Sequence, residues 1–261
     1  MISFKERKLF LKLLTIFASI FFILSNSCGG KKTLKEAEIF DPEKYISKAE
    51  GYINDNDFEE ARKILLEVKN RDTSRKYAPL AQLKIAESYV KEGDIEIGVE
   101  EYRKFIILYP ENQYASYAQY QIAMAYFSQI EAPDRGTGAA KKALEEFLLL
   151  KQLYPRNPFK DIIDLRIEKC RNIIADGEFM VGKFYYDKGS YNAAIKRFEG
   201  LLNQFPEYKK QDEVLLYLGK SYKALKLYDK AKLILELLKE KFSSSKFAIE
   251  AEKDLKSLKG S

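Results

Sequence analysis

Residues 182–206 read GKFYYDKGSYNAAIKRFEGLLNQFP, and two short helices can be laid on them. Gly182 and Tyr185 precede a Gly189-Ser190 break; Ala194 and Phe198 then follow at helical spacing, and Phe205-Pro206 closes the stretch. The frame recurs along the chain. Tyr stands at 52, 89, 126, 185 and 222, and three of the intervals are 37 residues. A small residue lies three places before each Tyr, at Ala49, Ala86, Ala123, Gly182 and Gly219. Another follows nine places after four of them, at Ala61, Gly98, Ala194 and Ala231, and twelve further on stand Thr73, Pro110, Pro206 and Ser243. The third copy keeps the second spacing, Ala143 to Pro155, but carries eight extra residues before Ala143. Four places after the second small residue comes Leu65, Tyr102, Phe147, Phe198 or Leu235.

Each choice has a mechanical reason. Two helices of one repeat approach closely only where neither carries a large side chain. Gly182 and Gly219 each cost about 1 kcal/mol of helix propensity relative to Ala, and close helix contact offsets that cost. Pro ends the second helix because it lacks a donor N–H. Asp57, Asp94 and Ser190 stand where N-caps of the second helix belong. The pattern resembles the tetratricopeptide repeat and predicts an all-α fold, an α-solenoid of about five helix-turn-helix repeats. The 59-residue interval between the third and fourth Tyr predicts an extended or doubled helix over Phe159 to Asp187. Lys246 to Leu258, with Phe247, Ala251, Leu255 and Leu258 on one face, predicts the capping helix such arrays need.

Upstream of the repeats the chain changes character. Lys5, Arg7, Lys8 and Lys12 precede an apolar run from Leu13 to Leu24, and Ser25-Asn26-Ser27-Cys28 closes it. Twelve helical residues rise about 18 Å, short of the ~30 Å a spanning helix needs. Residues 1–27 therefore read as a lipoprotein signal peptide and Cys28 as the lipidated residue. The lipobox is imperfect, with Ser25 where Leu is usual; the alternative is an ordinary signal or anchor with an incidental Cys. Residues 28–41 read as the lipidated cysteine and a flexible tether.

Composition narrows the chemistry. The 261 residues include no His, which removes Ser-His-Asp and Cys-His catalysis and His metal sites. The formal charge of +6 falls to about +3 without residues 1–27, too little for a nucleic-acid footprint. Cys28 and Cys170 are the two cysteines, and Cys170 sits in an apolar-periodic stretch as a small core residue. Gly219-Lys220-Ser221 lacks the upstream Gly of a phosphate loop, Val214 standing there. Carboxylate pairs such as Glu59-Glu60, Glu100-Glu101 and Glu145-Glu146 read as solvated helix faces. The chain reads as no enzyme, with no cofactor beyond the acyl chains on Cys28.

A cysteine lipid anchor followed by five such repeats resembles the BamD family of the outer-membrane β-barrel assembly (BAM) machinery, over roughly residues 42–245. The most specific pieces are Tyr117-Ala118-Gln119-Tyr120, the insertion Ile130-Glu131-Ala132-Pro133-Asp134-Arg135, and Lys188 to Arg197. Gly136-Thr137-Gly138 departs from the family's more acidic, amide-rich residues after Asp-Arg. The resemblance implies a non-enzymatic adaptor held by its acyl chains on the periplasmic face of the outer membrane. It would dock the POTRA domains of a BamA-like barrel protein, join other BAM lipoproteins, and receive unfolded outer-membrane proteins by an aromatic-ended C-terminal segment. Other envelope scaffolds stay open as alternatives: a pilotin-type lipoprotein for a secretin, or a YbgF-like Tol-Pal coordinator.

The repeat register assigns two sets of residues. In residues 42–159, Ile46, Glu50, Ile53, Leu83, Glu87, Val90, Tyr117, Tyr120, Met124 and Phe127 are expected to line a substrate groove. In residues 160–258, Phe179, Lys183, Tyr186, Leu216, Lys220 and Lys223 are expected to dock the partner, with Arg197 carried over from the family resemblance. The alternatives are inter-repeat core for part of these, and a solvated helix arginine for Arg197.

Overall fold

In the computed structural model, residues 40–258 are described, and those from Pro42 onward form one compact unit. The expected signal peptide, Cys28 and residues 28–39 of the tether lie outside the described residues. Eleven α-helices and no strand occur among the described residues. Repeat 1 is α1 (Pro42–Asn54) and α2 (Phe58–Arg71); repeat 2 is α3 (Ala78–Glu92) and α4 (Ile95–Leu108). Repeat 3 is α5 (Ala115–Ser128), a single 3-10 turn (Pro133–Arg135) and α6 (Gly138–Leu153). The C-terminal half of α7 (Lys160–Asp187) pairs with α8 (Tyr191–Gln204) as repeat 4; α9 (Gln211–Ala224) and α10 (Tyr228–Lys241) form repeat 5. The capping helix is α11 (Lys246–Leu258), packed on α10 and α9. The protein is a helical solenoid in which each helix packs chiefly on its neighbours in sequence.

The first and second helices, A and B, of each repeat touch at the small residues. Ala49, Ala61, Ala86, Ala123, Ala143, Ala194 and Ala231 are all fully buried. A Cβ built on Gly182 would lie 2.5 Å from the Phe198 ring, and one on Gly219 would lie 2.6 Å from Leu235. The turn between A and B places one residue in the left-handed region four places after the repeat Tyr: Asn56, Gly93, Gly189 and Lys226, with φ between +60° and +102°. Gly and Asn take this conformation at little cost, whereas β-branched residues resist it. In repeat 3 the corresponding residue is Ile130, and there the chain makes the insertion instead. Asp57, Asp94 and Ser190 occupy the N-cap positions of helix B, but none makes a side-chain capping hydrogen bond.

Helix B ends on an aromatic residue in repeats 2 to 5: Tyr109, Tyr154, Phe205 and Phe242. Each donates its backbone N–H to the carbonyl four residues back. Pro follows the first three and has no N–H to continue the ladder. The Phe159–Asp187 stretch is one continuous 28-residue helix from Lys160, not two. Its first half contributes Ile163, Ile167 and Cys170 to the core of repeats 2 and 3, and its second half gives Ala175 and Phe179 to that of repeats 4 and 5. The apolar cores thus meet within α7 and not at its start. Cys170 is fully buried, and burial pushes its thiol up to about 11.

One sequence reading is corrected here. Glu146 is 6 % exposed, not a member of a solvated pair. Its carboxylate accepts from the Nε2 of buried Gln119 at 2.7 Å and from Arg103. The same arrangement stands one repeat earlier, where Gln82 Nε2 donates to Glu101 Oε2 at 2.8 Å. Lys69 donates to Gln82 Oε1 at 2.5 Å, so the polar bonds run from repeat to repeat.

The A–B contact makes an opposed pair of mutations informative. Gly182→Ala forces a methyl against the buried Phe198 ring, while Gly200→Ala on α8 meets nothing within 4 Å. By helix propensity alone each would stabilise by about 1 kcal/mol; overpacking costs about 1–3 kcal/mol. Thermal unfolding is expected to show a lowered midpoint for Gly182→Ala and a raised one for Gly200→Ala.

Candidate interaction surfaces

The helix A side chains expected to form a groove divide by burial. Ile46, Ile53, Leu83, Phe179 and Leu216 are buried between helices and present no surface. Helical geometry turns these positions toward the partner helix, and their apolar side chains complete the core there. Glu50, Glu87, Val90, Tyr117, Tyr120, Met124 and Phe127 are half-buried, as are Lys183, Tyr186, Lys220 and Lys223. This partial exposure along successive A helices is what a surface for an extended ligand requires.

Three chemical zones follow each other along it. In repeats 1 and 2 the carboxylates are neutralised. Lys84 lies 3.0 Å from Glu50 and 3.2 Å from Glu87, and Lys91 lies 3.0 Å from Glu87. Burial pushes the Glu87 carboxyl up, but the bonds from Lys91 and Lys84 outweigh it and hold the group below its usual range. Repeat 3 is aromatic. Tyr120 stacks on Phe159 with ring centres 4.2 Å apart, and Phe127 meets Phe147 edge-on at 5.9 Å. Repeats 4 and 5 carry a tyrosine cluster, Tyr186 lying 5.1 Å from Tyr217 and 5.6 Å from Tyr191.

The lysines of this last zone have internal partners. Lys183 bonds Asp187 at 2.8 Å, one turn along α7, and sits 4.9 Å from the Tyr217 ring. Lys220 pairs with Glu250 of the capping helix. Burial lowers its pKa, but the Glu250 carboxylate more than restores it, and the net shift is upward. Lys223 bonds Asp254 and Ser257 at 2.7 Å each. Two of these three lysines, Lys220 and Lys223, are therefore engaged in holding α11 in place.

Arg197 has a local explanation as well. Its Nη1 donates to Glu178 Oε2 of α7 at 2.9 Å. Glu178 lies seven places before Tyr185, as Gln82 and Gln119 do before their Tyr, and Arg197 lies where Glu101 and Glu146 do on helix B. It is the repeat 4 form of the same A–B polar bond with donor and acceptor exchanged, on an exposed part of the helix. The Asp134-Arg135 turn leans on α7, where Gly177 leaves room for Thr137, whose Cγ2 would lie 2.6 Å from an added Cβ. Arg135 is exposed, 3.8 Å from Glu131. Beside this turn a hollow of about 250 Å³ is lined by Pro133, Met180, Val181 and Phe184, the last three exposed apolar residues. Among the described residues there is no metal-binding cluster and no helix long and apolar enough to cross a membrane.

The sequence model of the YfiO family, described as outer membrane lipoprotein, matches residues 40–237, which reach into the last helix of repeat 5. The chain belongs to this family. It is a scaffold and not an enzyme. Relatives named outer membrane protein assembly factor BamD are similar over much of its length. The protein from Neisseria meningitidis serogroup B is 24 % identical over 239 residues, covering 85 % of this chain and 88 % of that one. The Rickettsia prowazekii protein is 29 % identical over 172 residues, covering 65 % of this chain and 67 % of the other. The Caulobacter vibrioides protein is 30 % identical over 148 residues, covering 57 % of this chain and 48 %, about half, of its own length. Among solved structures, the Hsp90-peptide-bound TPR2AB domain of yeast Sti1 overlays with a TM-score of 0.47 at 14 % identity, covering 82 % of each chain. That overlay is too loose to bear on function.

The pairing of α9 with α11 generates a test. Asp254 Oδ2 is buried with no partner of its own, so Lys223 carries the compensation of that carboxylate. Lys223→Glu is expected to destabilise by about 1–3 kcal/mol and to speed amide hydrogen exchange across Lys246–Leu258. Lys183→Glu breaks an i,i+4 pair worth about 0.3–0.5 kcal/mol and is expected to leave α11 exchange unchanged.

Proposed function

We propose that this lipoprotein is the adaptor of the outer-membrane β-barrel assembly machinery, anchored to the periplasmic face of the outer membrane by acyl chains on Cys28. Its repeats 4 and 5 dock the POTRA domains of a BamA-like barrel protein, alongside other lipoproteins of the complex. Repeats 1 to 3 receive the C-terminal segments of unfolded outer-membrane proteins. The observation that carries this reading is the family match across residues 40–237, from repeat 1 into the last helix of repeat 5, with relatives named as assembly factors of outer-membrane proteins.

Physical chemistry supports each part. Stable anchoring by lipid alone takes two or more chains, and a bacterial lipoprotein cysteine carries three. The half-buried Tyr117, Tyr120, Met124 and Phe127 present an adaptable apolar row of the kind an aromatic-rich segment packs against. The tyrosine cluster of repeats 4 and 5, with Lys183 on its edge, combines rigid rings with polar tips, the composition that dominates protein–protein hot spots.

Affinity capture of the tagged full-length chain from detergent-solubilised envelopes tests the reading. A POTRA-bearing barrel protein is expected in near-equal amount by mass spectrometry. Recovery of a secretin or of Tol-Pal components in its place would overturn the assignment while leaving the repeat architecture intact. Lys183→Glu, which spares the capping helix, is expected to weaken capture of the barrel protein at least severalfold; undiminished capture would remove Lys183 from the docking face.

A further inference from the structure

One pair of cations on the helix A side has no acid to answer it. Arg166 and Lys169 project from the first half of α7 over the aromatic zone of repeat 3. The Arg166 guanidinium carbon is 5.0 Å from the centre of the Phe127 ring and 6.0 Å from that of Tyr120, and Lys169 Nζ is 5.2 Å from Phe127. Among the described residues no carboxylate forms an ion pair with either, and Arg166 Nε is buried without a hydrogen-bond partner. Half-buried Lys84, Lys183, Lys220 and Lys223 on the A helices all have acid partners. A guanidinium presents a planar fork that matches a carboxylate through two parallel N–H···O bonds. Its desolvation here has been met by ring faces alone, which answer the charge but not the directed N–H.

We infer that Arg166 and Lys169 bind the terminal carboxylate of an extended polypeptide whose last residue is aromatic, its ring seated beside Tyr120, Met124 and Phe127. The inference rests on the proposed reading that repeats 1 to 3 receive chain ends, and it adds the residues that read the end as an end. A cation pair and an apolar seat side by side match a residue that carries both an aromatic ring and a free carboxylate, which in a polypeptide only the last residue does. The ligand carboxylate would displace no internal partner, so its charge is met without breaking a bond of the fold. Neither cation belongs to the helix A register positions of the repeats, since both lie in the half-helix that separates repeat 3 from repeat 4.

The test uses full-length protein in detergent and a fluorescein-labelled ten-residue peptide ending in Phe, in free-acid and C-terminally amidated forms. A third peptide carries an internal Asp and an amidated end. The unmodified protein is expected to prefer the free acid over both others by about tenfold, the discrimination one charge-assisted pair supplies. Arg166→Met, which keeps an apolar stem over the rings, is expected to abolish the preference while retaining the affinity for the amide. Arg166→Lys, which keeps the charge and loses the fork, is expected to give a reduced preference, and circular dichroism checks that each variant is folded. Equal binding of acid and amide, equal binding of the internal Asp peptide, or a preference that survives Arg166→Met would each overturn the inference. Any of these with undiminished capture of the barrel protein would leave the adaptor reading standing. Absence of all peptide binding would remove both this inference and the substrate role of repeats 1 to 3.

Discussion

Two helices in one repeat can come within contact of their backbones only where a side chain is given up, and every other feature of this solenoid is arranged around that approach. In repeat 4 the concession is Gly182, against which the Phe198 ring lies; in repeat 5 it is Gly219 against Leu235. The large partner belongs to helix B, four residues after that helix's own small residue, so each repeat is closed by one gap and one side chain sized to fill it. Phe147, Phe198, Leu65 and Leu235 are completely buried in this role. Because the pairing is internal to a repeat, its stability comes from the repeat itself plus the interface to the next, as expected of a quasi-one-dimensional array. The half-buried row on the A helices is what remains exposed once this packing is satisfied.

Polar bonds reinforce the same pairing in the middle of the array. Gln82 with Glu101, Gln119 with Glu146 and Glu178 with Arg197 occupy one pair of repeat positions. Repeat 1 has Tyr45 and Ile64 there, and repeat 5 has Leu215 and Ile234. Buried amides and carboxylates are costly unless fully paired, and here each donor finds an acceptor at a fixed register. A slip of one helix past the other by one residue would strand them, so these bonds specify alignment where apolar packing alone is permissive.

The architecture was legible in the sequence because it depends on features that repeat locally: the Tyr, the small residues, the Pro after helix B and the 59-residue gap. The 59-residue gap allowed an extended or a doubled helix, and α7 is a single one; the capping helix followed from the apolar face of Lys246–Leu258. What was not legible depends on which side chain meets which across repeats. Glu146 looks like one of several solvated carboxylates until Arg103 and Gln119 are seen to converge on it, although its recurrence with Glu101 at equivalent positions was a signal. Lys220 and Lys223 look like a free basic face until α11 brings Glu250 and Asp254 against them. Arg166 carries no repeat signature at all, since it lies in the half-helix outside the register.

The insertion in repeat 3 and the length of α7 form one structural solution. The A–B turn of the other repeats needs a residue at positive φ, and Ile130 stands at that place in repeat 3. A β-branched side chain is strained there, so the chain continues through the Asp134-Arg135 turn before helix B begins. A loop of that length needs a support, and α7 supplies it at Gly177, where the missing side chain admits Thr137. Because α7 runs past repeat 3 into repeat 4, it places Gly177 beside the loop, while its first half also closes the core of repeats 2 and 3. Two apolar cores are thereby fixed to one rod of about 42 Å, and the Arg166–Lys169 pair is carried on the segment that joins them. A ligand held by that segment would touch the element to which both halves of the array are bound.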